Sequence, residues 1–219
     1  KAVFAEIARL TPKPVRYLVD THGDGDHING NRYFPPTVTI VAHEGCRKDF
    51  FLPGRNGNPS EWTKPELAPF IPSVTFFDRM NLYIGGVTVE LHHFGIGHTS
   101  GDAVVYVPSE KAAFTGDQVS LPMATYIHAY KGGNTFANVK NLEKMLAAID
   151  AEHFVTGHSG VTDRAGVQTS IDNMKAFQNR IRTLIKEKKS LDEIKKEFPA
   201  NRSSVAEIVY KEIGERKDR

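Results

Sequence analysis

The 219-residue chain has a single cysteine, Cys46, and a single tryptophan, Trp62. One thiol excludes an internal disulfide framework and any metal site built on several cysteines. With no partner or motif around it, Cys46 reads as a packing residue. Long apolar runs are missing too, since no stretch approaches the roughly 20 residues that span a bilayer. No membrane association is therefore expected. Neither sign of charge dominates: 28 basic residues stand against 26 acidic ones, a formal +2. That balance gives no electrostatic reason to expect a nucleic acid. The basic clusters KEKK (186–189) and ERKDR (215–219) are interleaved with acidic residues and read as a solvated helical surface. There is no GxSxG elbow for a nucleophilic serine. Gly85-Gly86 and Gly132-Gly133 lack the spacing and lysine of a phosphate-binding loop. No basic-then-apolar secretion signal opens the chain. Lys1 stands first rather than methionine, which predicts that a segment ahead of it has been removed, so cytoplasmic and exported locations both stay open.

What is present suits a globular fold, with 40% hydrophobic and 25% charged residues. Apolar spacing predicts a helix over 2–10, stopped by Thr11-Pro12-Lys13-Pro14. Strands are expected at 15–20 and 37–42 and a helix at 44–52. Residues 53–72 hold five prolines, two glycines and Trp62. This segment is expected to be a long surface loop or lid, with Trp62 closing over a substrate or serving an interaction surface. Strand 74–77 follows, then hairpins 82–84/87–92 about Gly85-Gly86 and 103–107/112–115 about Pro108-Ser109-Glu110, which predict an antiparallel or mixed sheet. A helix at 137–149, a short strand at 153–155 and a long helix over 163–187 with Asp163 as N-cap come next. Ser190 to Glu193 and Ser204 to Glu207 each match a capping box. With no repeat and no dividing linker, 1–219 reads as one layered α/β domain, with motifs at 21–160 and a helical segment at 163–214.

Four short stretches share one format, an apolar strand that ends in a glycine-flanked histidine or aspartate. They are THGDGDHING (21–30), GHTSGD (97–102), TGD (115–117) and TGHSG (156–160). Taken alone, HGDGDH is a polar turn of the kind Asp and Gly favour. Strand ends aligned along one sheet edge bring such loops together. His22, Asp24, Asp26, His27, His98, Asp117 and His158 would then supply nitrogen and oxygen donors that suit zinc, iron or manganese. Seven donors exceed what one tetrahedral ion takes, which points to two ions about 3.5–4 Å apart. Asp102 reads as an orienting residue of its loop.

The order HxxxDH, GHTSGD, TGD, GH resembles the metallo-β-lactamase superfamily over roughly residues 1–160, and the glyoxalase II-like hydrolases within it in particular. The resemblance implies a four-layer αββα sandwich with two metals at one edge. It implies that His22 and His98 bind the first metal, that Asp26, His27 and His158 bind the second, and that Asp117 bridges them. Chains of that family usually carry several strands before the first helix. Their lack here implies a sheet with an exposed edge, a place for a second copy or another chain.

Asp24 stands where most of that family has histidine. Two divalent ions bring +4, and Asp26, Asp117 and a bridging hydroxide leave +1. An ionised Asp24 brings the formal total to 0. A harder oxygen ligand moves selectivity from zinc toward manganese or iron and leaves the centre less electrophilic, better suited to neutral than to strongly anionic reacting groups. The implied function is a hydrolase of an ester, thioester, lactone or amide in a small molecule, using a metal-bridging hydroxide with Asp26 to orient it. Two divalent ions, zinc foremost, are the expected cofactors. Alternatives are a β-lactam hydrolase, an iron-dependent sulfur dioxygenase, or an inactive fragment completed by another chain. The segment 126–134 lies beside the metals in that family, so Tyr126, His128, Tyr130, Lys131 and Asn134 are candidates for substrate contact. The other histidines, His43, His92, His93 and His153, read as structural or exposed.

Overall fold

The computed structural model describes residues 2–54 and 57–217, with side chains described up to Glu215. The end of the ERKDR run, and Arg55 and Asn56 of the proline-rich segment, lie outside the described residues. Helix α1 (Ala2–Leu10) leads into β1 (Tyr17–Asp20), β2 (Thr39–His43) and β3 (Val74–Phe76), a parallel three-stranded sheet with β1 and β3 at its edges. A second sheet has the order β4 (Arg79–Ile84), β5 (Val87–His92), β6 (Val104–Val107), β7 (Ala112–Gly116), β8 (His153–Thr156), β9 (Val161–Thr162). It is antiparallel except where β7 pairs with β8 in parallel. The expected mixed sheet is thus present. Gly85 and Gly86 at the first hairpin have φ of 59° and 87°, a left-handed pair that side chains disfavour and glycine adopts freely.

Strand alternation sets the layers. In β2, Val41 points inward and packs with Phe76, Leu91 and Ala103 between the two sheets. Its neighbour Ala42 faces outward and packs with Ile28, Cys46, Phe50 and Trp62 beneath α2 (Gly25–Ile28), α3 (Glu44–Asp49) and the proline-rich segment. On the far face of the second sheet, Val104, Ala113 and Phe154 pack against Leu142 and Met145 of α4 (Thr135–Ala148) and Val167, Ile171 and Met174 of α5 (Arg164–Lys186). Helices, sheet, sheet, helices is the expected αββα order. Phe154 is fully buried, and its truncation to alanine costs about 3–5 kcal/mol.

A further cluster joins the end of α5 to α6 (Leu191–Lys196) and α7 (Ser203–Lys217) through Ile181, Leu184, Ile194, Val205 and Val209. Asp163 caps α5 by accepting from Gly166 N at 2.9 Å, and Ser190 and Glu193 form the reciprocal capping box of α6. The second box does not form. Helix α7 already begins at Ser203, the Ser204 hydroxyl meets Tyr126 Oη at 3.0 Å, and Glu207 pairs with Lys195 and Lys211. Residues 53–72 are also less loose than expected, because 3-10 turns at Glu61–Thr63 and Pro65–Phe70 bury Trp62, Leu67 and Ile71. Trp62 is no lid. Its ring packs on Phe50 at 4.9 Å under the Arg32 guanidinium, because so large an apolar surface gains more in the core than over a cleft. No helix of the described residues is long and apolar enough to cross a membrane.

Candidate metal centre

The four motif loops meet where β1, β5, β7 and β8 end. His22 follows β1 and is 1% exposed. Asp24 occupies the N-cap position of α2, yet its carboxylate makes no capping bond. Instead Oδ2 lies 3.0 Å from His98 Nε2 and 3.5 Å from His22 Nε2, while Oδ1 accepts from Lys131 Nζ at 2.6 Å and lies 3.2 Å from His128 Nδ1. The polar-turn reading is thereby set aside, since a turn or cap would have engaged that side chain locally. Hydrogen bonds with His128, His22, His98 and Lys131 hold the Asp24 carboxyl well below the usual carboxylate range despite its burial.

Asp117 follows β7 after a register shift in the β7–β8 ladder and a left-handed Gly116. Such an irregularity re-aims the next side chain. Parallel pairing then sets the Asp117 and His158 loops side by side, with Gly157 N donating to Gly116 O at 2.9 Å. Asp117 Oδ1 lies 3.3 Å from His27 Nε2, and Oδ2 lies 3.3 Å from His158 Nε2 and 3.8 Å from His22 Nε2. Asp26, on the exposed side, lies 3.1 Å from His158 Nε2 and 3.7 Å from His27 Nε2.

These donors fall into two groups, His22, Asp24, His98 and Asp117, and Asp26, His27 and His158, within each of which the ligand atoms lie within 4.8 Å of one another. Ligands at roughly 2 Å from a tetrahedral ion sit about 3.3 Å apart, so the spacing suits a metal. The chemistry of the donors agrees. His98 Nδ1 donates to Tyr126 O at 2.6 Å, which turns Nε2 toward the Asp24 carboxylate. A proton or a cation must sit there. Burial opposes charge on that ring, but Asp24, Asp102 and the Tyr126 carbonyl outweigh it and push its pKa up to about 9. His27 Nε2 and His158 Nε2 face each other at 3.4 Å, and His22 Nε2 and Asp117 Oδ1 are buried without hydrogen-bond partners. Each is a lone pair or charge that a divalent ion satisfies. The loop carrying His98 is held by Asp102, which accepts from Thr99 N at 3.0 Å and Thr99 Oγ1 at 2.6 Å.

The sequence pattern of the metallo-beta-lactamase superfamily matches residues 2–158. The chain belongs to that superfamily. A metallo-beta-lactamase type 2 from Bacteroides fragilis is 28% identical over 89 residues, which cover 40% of this chain and 36% of that one. The chain thus matches about a third of the length of this curated relative. Among solved structures, a metallo-beta-lactamase from Pontibacter korlensis superposes with a TM-score of 0.63 at 21% identity, over 80% of this chain and 75% of that one. A stereoselective inverting sec-alkylsulfatase from Pseudomonas sp. superposes with a TM-score of 0.71 at 16% identity, over 96% of this chain and 43% of that one. At these identities the likeness is one of fold.

Within this metallo-β-lactamase fold the segment 126–134 lies beside the donors, but its side chains have varied tasks. Lys131 is buried, donating also to Gly23 O at 2.6 Å. Asn134 Oδ1 accepts from Ala137 N at 2.8 Å and caps α4. His128 touches Asp24. Tyr126 and Tyr130 line separate clefts on either side, and Tyr130 is half exposed. Two features escaped sequence reasoning: the bond from Lys131 to Asp24, and Arg202, which reaches the cleft beside His158 from beyond α6. No local motif marks either residue.

Proposed function

We propose that this chain is a hydrolase that uses two divalent ions, zinc foremost, to cleave an ester, thioester, lactone or amide bond in a small molecule. The observation that carries the reading is Asp117, whose two oxygens face both donor groups at once. When bound, two such ions polarise a carbonyl and make a water nucleophilic at neutral pH. His22 and His98 are both buried, and the Tyr126 carbonyl holds His98 Nδ1, so the two Nε2 atoms are aimed into the donor group. Asp26 is the exposed carboxylate of the cluster, its side chain 61% accessible, and in this reading it orients the attacking water and takes its proton. Lys131 neutralises one oxygen of Asp24 and leaves the other for the ion.

The test is a hydrolysis panel of nitrocefin, lactones, thioesters and phosphodiesters with the zinc-, manganese- and iron-loaded protein. Turnover of a carbonyl ester or thioester that stops on chelation supports the reading, and nitrocefin turnover would assign the β-lactam activity named for the Bacteroides fragilis relative. One tightly held iron with oxygen consumption and no hydrolysis would replace it with the dioxygenase alternative.

A further inference from the structure

A cavity of about 190 Å³ opens beside the candidate metal centre, lined by Asp117, Val119, Ser120, Tyr126, His158 and Arg202. Arg202 ends the 3-10 turn Ala200–Arg202 that joins α6 to α7, so the helical segment past the motifs supplies one wall. Arg9, Arg32, Arg79 and Arg180 each pair with a glutamate. Arg202 forms no ion pair with any carboxylate of the described residues. Its Nε is buried without a hydrogen-bond partner, and Nη1 makes only a long bond to Asn201 O at 3.4 Å. The guanidinium carbon stands 5.9 Å from the centre of the Tyr126 ring, and that ring is anchored in turn by Ser204. Among the described residues the one carboxylate on the cavity wall is Asp117, whose oxygens lie 3.3–3.8 Å from His22, His27 and His158.

A partly desolvated guanidinium with unfilled donors is costly unless something else satisfies it. Burial accordingly lowers its pKa from the usual arginine value, while arginine stays charged in any accessible pH range. Placed in a cavity whose other wall carries Asp117 and His158, it faces whatever the centre binds.

We propose that Arg202 reads a carboxylate on the substrate, so that the site takes short acyl compounds that are neutral at the bond to be cleaved and anionic at the far end. This deepens the hydrolase reading and rests on the same site. The planar fork of arginine matches a carboxylate by charge-assisted hydrogen bonds. The small volume suits a short acyl chain.

The decisive experiment titrates succinate into the zinc-loaded protein by calorimetry, with the native chain beside Arg202→Met and Arg202→Lys. Methionine keeps the apolar contact with Tyr126, and lysine keeps the charge without the fork. Affinity should fall about tenfold or more in Arg202→Met, the scale of one charge-assisted hydrogen bond, with Arg202→Lys in between. Equal affinity in the native and Arg202→Met proteins overturns the proposal. A second readout is the kcat/KM ratio of 4-nitrophenyl hemisuccinate to neutral 4-nitrophenyl propionate. The ratio should favour the hemisuccinate and drop about tenfold in Arg202→Met, and a ratio unmoved by the substitution also overturns it. If succinate binds through Arg202 and no ester is cleaved, the hydrolase reading falls while this one stands. Ester cleavage with unmoved affinity and ratio removes the role of Arg202 and leaves the hydrolase reading in place.

Discussion

Lys131 Nζ lies 2.6 Å from Asp24 Oδ1, and both side chains are buried beside the candidate metal donors. The pair revises the charge count at the centre. Counted from the motifs alone, Asp24 takes the formal total from +1 to 0, and the Lys131 ammonium returns it to +1. The aspartate therefore changes the hardness of the first donor group more than the net charge around it. Lys131 also fixes which carboxylate oxygen faces His22 and His98.

Lys131→Met should therefore weaken metal binding without removing a ligand. Loss of a group that orients a ligand costs about 10–100-fold in affinity, read by competition with a chromogenic chelator. Unchanged affinity would show that the aspartate is oriented by the histidines alone.

Asp24→His restores the donor that most of the family carries, but here it strands a buried ammonium. Breaking a buried pair by removing one partner costs about 3–5 kcal/mol. The single variant should unfold earlier in urea, and Asp24→His/Lys131→Met should recover most of the loss. A double-mutant cycle gives the coupling, and additive effects would deny it. In the same series, the double variant should shift from manganese and iron toward zinc in a mixed-metal competition followed by elemental analysis.

Gly157 leaves room for the Asp117 carboxylate, since a Cβ added there would fall on Asp117 Oδ1 and crowd the His27 ring. Gly157→Ala should displace the one residue that faces both donor groups. Metal content should drop below two ions per chain, and hydrolysis should fall at least about tenfold with little change in circular dichroism. Full loading would mean that the loop yields.

Asp20 ends β1 in a nearly closed environment, where burial raises its carboxyl to about 7 against the hydrogen bond from Asn31 Nδ2. Its folded pKa lies above the unfolded value of about 3.9, so the folded state retains a proton that the unfolded state releases. The associated stability is complete below about pH 4 and is lost as pH rises to about 7. Asp20→Asn should flatten the decline in urea-unfolding free energy between pH 5 and 8 and be no less stable than the parent at pH 8. An unaltered slope would locate that dependence elsewhere.

Much of the fold was legible because its causes are local. The Gly85-Gly86 turn, the Asp163 cap and the Ser190–Glu193 box each depend on residues within a few positions of one another. The failures have the opposite character. Ser204 and Glu207 have the spacing of a box, but Tyr126 and Lys195 engage them from elsewhere in the chain. Trp62 looked like a lid from its proline-rich neighbours, and Phe50 and Arg32 hold it in the core.

The same division runs through the site. By itself the sequence determined the candidate donors, seven histidines and aspartates on glycine-flanked strand ends, because residue type and strand periodicity are written position by position. Only the tertiary structure decided that Asp24 answers to a lysine 107 positions away and that an arginine past α6 faces the cavity beside His158. Those relations depend on how sheets and helices pack, and a buried charge takes whichever partner the packing brings within reach.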